Sequence, residues 1–270
     1  AVPTASDDVF FDAASGAVTV TVTATSLCLS LSFAGASGLT FAGASTIKVS
    51  GSLTMASPAG VTWTYTGLLS FQGAAGAFTI TCSSQTFLGL VQFFGAGSTW
   101  TLQDTLNSSS SVAIDSGTLA TGSNNLNCTA ISTTGSSAAG LTLGSSAVVL
   151  SGTDVVWGLA SSALFTLSAG TSGITINNAT ATDKTFAGGG LTYYSLLFTG
   201  AGTGTLIVTG SNTFNTFSVT TPPHTVQFAA GTRQTVTTFT VTGTAGNLIT
   251  LHSTVDGSTW MLTKAGGGSV

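Results

Sequence analysis

Along most of this chain apolar residues alternate with polar ones, at the period of two that suits a half-buried strand and not at helical spacing. Val18, Val20 and Val22 share one face, followed by Leu27, Leu29, Leu31 and Phe33, with Cys28 on the opposite face. Further runs are Val61, Trp63 and Tyr65; Phe78, Ile80 and Cys82; Leu141 and Leu143; Ile174 and Ile176; Phe239 and Val241. Clusters of Gly, Ser and Asn separate them, such as GAS at 35–37 and 43–45, TGSNN at 121–125 and GTAGN at 243–247. Strand-sized segments thus recur about every 8–12 residues, a spacing that a sandwich, a barrel or a solenoid can produce.

Internal similarity separates these architectures. FTITCSSQTFLGLVQFFGAGSTWTL (78–102) lies beside ITINNATATDKTFAGGGLTYYSLLFTGAGTGTL (174–206). Both run strand, polar loop, a Gln or Lys followed by Thr-Phe, a second apolar strand, then GAG and a strand ending in Leu. VQFAAGTRQTVTTFTVTGTAGNLITL (226–251) is a looser third copy, and GSTW-x-L occurs twice, at 97–102 and 257–262. Glycine-punctuated strand modules in tandem are the mark of stacked coils, each burying its apolar face only against its neighbours. The expectation is an all-β, right-handed parallel β-solenoid of about nine coils with three short strands each. One continuous repeat domain then spans 1–270, with a polar lead-in at 1–16; a tandem β-sandwich is the alternative. In GSTW-x-L the Gly is expected to make a corner and the Trp to fill or cover a coil end.

Composition supports strands. Only 4% of residues are charged, Glu is absent, and the cations are Lys48, Lys184, Arg233 and Lys264; helices draw heavily on Glu, Lys and Arg. No apolar run reaches the roughly 18 residues of a membrane helix, and short strands with scattered Trp and Tyr do not fit a membrane barrel. The net charge of −4, with no basic patch, excludes nucleic-acid binding driven by counterion release. Cys28, Cys82 and Cys128 are odd in number and irregularly spaced, so neither a zinc site nor a disulfide framework is expected. Cys82 and Cys128 read as small buried hydrophobes.

Candidate chemistry is sparse. Asp7, Asp8 and Asp12 in SDDVFFD are the only local concentration of carboxylates. They are candidate Ca²⁺ ligands, because calcium takes several oxygens from a flexible loop; the competing reading is a polar loop whose Asp side chains cap turn amides. Asp104, Asp115, Asp154, Asp183 and Asp256 fall singly. A glycosidase needs two carboxylates together, and only stacking of coils, about 5 Å apart, would supply that. His224 and His252 have no catalytic partners in sequence, and the nucleophile elbow, P-loop and dinucleotide fingerprint are absent. No catalytic residues and no cofactor are therefore expected. The threonine arrays TVTVTAT (19–25) and TTFTVTGT (237–244) raise ice binding, but they lie at opposite ends of the chain and Thr suits any solvated strand. Tyr193, Tyr194, Trp63, Tyr65 and Trp157 would stack on sugar rings if exposed.

AVPTASDDVFFDAASGAVTVT (1–21) resembles a segment of Thr/Gly-rich β-repeat proteins from tailed-phage appendages and bacterial surfaces. The stretch SNTFNTFSVTTPPHTVQFAAGTRQTVTTFTVTGTAGNLITLHSTVDGSTWMLTKAGG (211–267) looks like the closing module of the same proteins. The resemblance implies an appendage or surface role without catalysis, often as part of a longer chain. The GGGSV ending fits such a segment. The charge-poor surface adds an independent point, because charge keeps small domains apart and this chain suits packing against copies of itself or sister modules. The reading is a structural, extracellular module, a phage tail fibre, spike or decoration, without a membrane span. A bacterial filament or adhesin is the alternative, and a glycan-binding or glycan-cleaving β-helix the lower one.

Overall fold

The computed structural model describes residues 2–159, 163–200, 202–222 and 224–267; the end of the GGGSV segment, 268–270, lies outside them. The chain winds into a β-solenoid of about 11 turns, and all its strand ladders are parallel. At a strand spacing of about 4.8 Å the stack is about 50 Å long. The coil is shorter than the pattern predicted. Ser70 sits one coil from Gln92, 22 residues on, which raises the count from nine coils to about 11. Strands of two residues, Val9–Phe10 and Leu31–Ser32, are too short to register as alternation, so the sequence reading merged them with their corners. The polar lead-in already contributes the first of them, which pairs with the second.

Three faces can be followed up the stack. The first runs through Val9–Phe10, Leu31–Ser32, Leu53–Thr54 and Ala77–Thr81. It continues in the second halves of Val91–Leu102 and Val112–Ala120, then in Ala139–Thr142 and Phe165–Ser168. The third face begins with Ser26–Cys28, Ile47–Val49 and Leu69–Phe71 and ends with His224–Phe228 and Ile249–Ser253. The second face starts as Thr19–Val22, Leu39–Gly43 and Val61–Trp63 and resumes as a separate nine-stranded ladder from Thr86–Phe87. At that break the buried Gln85 side chain replaces ladder bonds, its Nε2 donating to Val61 O at 2.8 Å and Ala56 O at 3.0 Å.

Every face alternates inward apolar and outward small or polar residues, as the pleat requires. Because faces stack in register, like lies on like: Phe71 on Phe93 (5.1 Å) and Phe217 on Phe239 (5.4 Å). Corners reset the alternation. Cys28 is buried while Leu27 and Leu29 stand exposed at 39% and 37%. This reverses the expected phase, because the corner between Ser26–Cys28 and Leu31–Ser32 interrupts the pleat. Val18 is likewise exposed although Val22 is buried.

The sequence repeats are real units set on different faces. Gln85-Thr86-Phe87 opens a second-face strand, whereas Lys184-Thr185-Phe186 lies on the third. Their leading residues nevertheless do the same work. Gln85, Lys184 and Gln234 are all buried and reach carbonyls of a corner: Lys184 Nζ donates to Thr180 O, and Gln234 Nε2 to Gly210 O at 2.7 Å. GSTW-x-L also keeps its role. Gly97 and Gly257 adopt φ of +74° and +76°, conformations that glycine enters without a Cβ penalty. Trp100 then lies wholly in the core, and Trp260, half-buried in the last described coil, stacks on Phe228 at 4.1 Å.

Candidate functional site

The acidic residues serve the corners. Asp7 Oδ2 accepts from Thr4 N (2.8 Å) and Thr4 Oγ1 (2.6 Å), which holds its carboxyl below the usual range. Asp8 Oδ1 accepts from Ser30 N at 3.1 Å, one coil on. Asp12 Oδ1 caps the short 3₁₀ turn Ala13–Ser15, accepting from Ala14 N and Ser15 N. The three candidate calcium ligands thus attend three separate turns. Among the described residues no group of three His, Cys, Asp or Glu is arranged to hold a metal ion.

Asp104 accepts from two successive backbone N–H groups, Cys82 and Ser83, both at 2.6 Å. Ser83 and Ser84 both have positive φ, and this turn aims its amides at a carboxylate. Asp183 Oδ1 accepts from Thr205 N at 2.8 Å. Asp115, buried at the bulge where Val91–Leu102 and Val112–Ala120 lose register, accepts from Gln92 Nε2 and Thr134 N, each at 2.8 Å. Asp8, Asp104, Asp115 and Asp183 therefore each tie one coil to the next. Asp is short enough to cap a turn amide without crossing the corner, a physical reason for Asp to be used here where Glu is absent. Stacking does bring Asp154 beside Asp183, whose carbonyl accepts from Asp154 N at 2.8 Å. Asp183 Oδ1 is engaged by Thr205, and the neighbouring Lys184 buries its ammonium toward Thr180. Burial holds that ammonium below its ordinary pKa, with Asp183 opposing.

His224 is buried with its ring on Phe198 at 4.7 Å and Nε2 on Gly200 O; its Nδ1 has no partner among the described residues. His252 Nδ1 faces Ser253 O at 3.0 Å. Among the described residues no carboxylate or thiol joins either histidine in a hydrogen bond. The cysteines are buried and free. Burial pushes the Cys28 thiol up to about 11, with Asp8 adding to it, and Cys128 up to about 12 against a backbone bond from Ala130. Cys82 is also raised by burial, then by Asp104. Thiols held protonated in this way are poor nucleophiles and poor metal ligands.

Most of the proposed sugar platforms are core. Trp63, Tyr65, Trp157 and Tyr193 are buried, and Tyr193 accepts from Trp157 Nε1 at 3.1 Å while donating to Gly188 O at 2.7 Å. Tyr194 alone among them is exposed, at 40%. It borders a groove of about 350 Å³ with Thr192, Thr213, Asn215 and Thr237. Other grooves, of about 170 to 290 Å³, lie beside His224, at the first coil, at the ladder break and along the first face. None of these five is lined by a carboxylate.

Threonine rows form that the sequence did not reveal. Along the first face Thr99, Thr118 and Thr166 share one row, and Thr79, Thr101, Thr142 and Ser168 the next. Ala77, Gly140 and Ala120 interrupt them, so the hydroxyl lattice an ice face needs is incomplete. Compared with known proteins, the chain matches no family model, no curated protein and no solved structure.

Proposed function

We propose that this chain is a non-enzymatic structural module of an assembled extracellular object, a phage virion appendage such as a tail fibre, spike or decoration. One observation carries the reading: about 11 coils are stitched coil to coil by the residues that would otherwise be the reactive ones. Asp104, Asp115 and Asp183 bond backbone amides of adjacent coils, and the thiols are buried. A rod fixed in this way transmits position and load along its axis. Its near-neutral surface, with 4% charged residues, favours partners of the same kind, copies of itself or sister modules. The resemblance of 1–21 and 211–267 to repeat proteins of phage appendages and bacterial surfaces supports an object of this kind, and the virion is favoured over the bacterial surface within it.

Immunogold electron microscopy of a producing culture, with antibody raised to this chain, tests the reading. Gold on virus particles at a fixed position is the expected result. Gold along cell envelopes or free filaments would overturn it in favour of a bacterial filament or adhesin.

A further inference from the structure

From Thr192 onward the first and second faces are joined in single bent strands, Thr192–Phe198, Thr213–Val219 and Arg233–Val241. Pairing is continuous on either side of the bend, with Tyr193 on Phe214 on Val236 and Ser195 on Thr216 on Thr238. The residue at the bend itself, Tyr194, Asn215 or Thr237, is skipped by the ladder in each coil and borders the groove. Thr192 and Thr213 pair across adjacent coils beside it. We propose that this groove binds a neutral oligosaccharide chain running along the solenoid axis.

Three properties of the groove point to that ligand. First, Tyr194 stays 40% exposed in a chain whose other two tyrosines are buried. An open phenol ring offers an apolar face to the C–H face of a pyranose and a polar rim to its hydroxyls. Second, the side-chain polar groups of Thr192, Tyr194, Thr213, Asn215 and Thr237 make no hydrogen bond to any described residue. Asn212 and Asn125, at other corners, instead accept from adjacent coils, at Gly190 N and Ala147 N. An amide with both donors and acceptor free, flanked by hydroxyls, matches the mixed donor and acceptor character of sugar hydroxyls. Third, no charged residue lines the groove, which disfavours uronates, sialylated chains and phosphates. The stacking repeat of about 4.8 Å is comparable to one sugar unit, so successive coils present a ring, an amide and a hydroxyl to successive residues of a chain.

The site is independent of what object the protein builds, so the immunogold result does not decide it. The test is isothermal titration of the full chain with maltohexaose, cellohexaose and N-acetylchitohexaose, with hexagalacturonate as the charged comparison. At least one neutral hexasaccharide is expected to bind with Kd between about 10 μM and 1 mM. Tyr194→Ala should weaken it about tenfold and Asn215→Ala about fivefold, while Tyr194→Phe, which keeps the ring, stays within about threefold. Unchanged melting of each variant separates loss of contact from loss of fold. The proposal is overturned if none of the three neutral chains gives heat at about 5 mM, if Tyr194→Ala binds as the parent does, or if hexagalacturonate binds equally well through Tyr194.

Discussion

The two copies of GSTW-x-L put the same tryptophan into two environments, and their stabilities should differ accordingly. Trp100 has no exposed surface and contacts Phe93, Phe78 and Phe71 at ring distances of 5.6, 5.7 and 6.0 Å. Its Nε1 donates to Gly51 O at 3.1 Å, across 49 residues of chain. Trp100→Ala removes the ring from a close-packed site at a cost of about 3–5 kcal/mol and leaves a buried carbonyl unpaired, adding about 1–3 kcal/mol. Trp260 keeps one stacking contact, Phe228 at 4.1 Å, and is half-buried in the last described coil. Its loss should cost about 1–2 kcal/mol. For a chain of this size about 2–4 °C of Tm accompanies each kcal/mol, so Trp100→Ala should melt about 8–32 °C below the parent and Trp260→Ala about 2–8 °C below. Thermal unfolding followed by far-UV circular dichroism reads both without relying on the fluorophores removed. Because most contacts of a coil are with its nearest neighbours, the central change should also broaden the transition, whereas the change in the last described coil should act locally. Equal shifts for the two variants, or a larger one for Trp260→Ala, would refute the assignment of Trp100 to the centre of the core.

Asp104→Ala should cost about 2–4 kcal/mol, since it strips two charge-assisted bonds from the turn at Cys82 and Ser83; Asp256→Ala, exposed, should cost under about 0.5 kcal/mol. Chemical denaturation of the two variants side by side checks this. Alkaline stability should fall. The Cys28 thiol rises from 9.0 to about 11 and the Tyr65 hydroxyl from 10.0 to about 12, in both cases through burial. The folded state therefore keeps protons the unfolded state releases, so their contribution is complete below about pH 9 and is lost as pH rises through about 11–12. Buried Lys184, with its pKa lowered, works the other way, gaining stability as pH climbs toward its unfolded value; the more numerous acids should dominate. Melting scans should be flat between about pH 5 and 8 and descend above about pH 9, and a melting point that held or rose across the alkaline range would contradict the burial of these groups. Adding millimolar calcium, or chelator, should move Tm by less than about 1 °C, because Asp7, Asp8 and Asp12 serve separate turns; a shift of several degrees would restore them as a cation site.

Much of this architecture was legible along the chain. Alternation without helical spacing, glycine-punctuated repeats and the absence of Glu called for a stack of short strands, because a pleated face writes its period of two directly into the residue order. The buried polar step before Thr-Phe, at Gln85 and Lys184, and the corner glycine of each GSTW-x-L were also visible as repeats. What depended on the third dimension was phase and neighbourhood. Cys28 turned inward because a corner reset the pleat, and the coil shortened because two-residue strands leave no periodic trace. Asp104 found the amides of Cys82 and Ser83, and Tyr194 was left outside beside Asn215, because each meets residues one coil away whose separation in sequence varies with every corner. Alternation is a property of a single strand and survives in one dimension. Register between coils is set by the lengths of all the corners together and by which side chains fill the core, so only the folded stack decides which outward residues stand side by side.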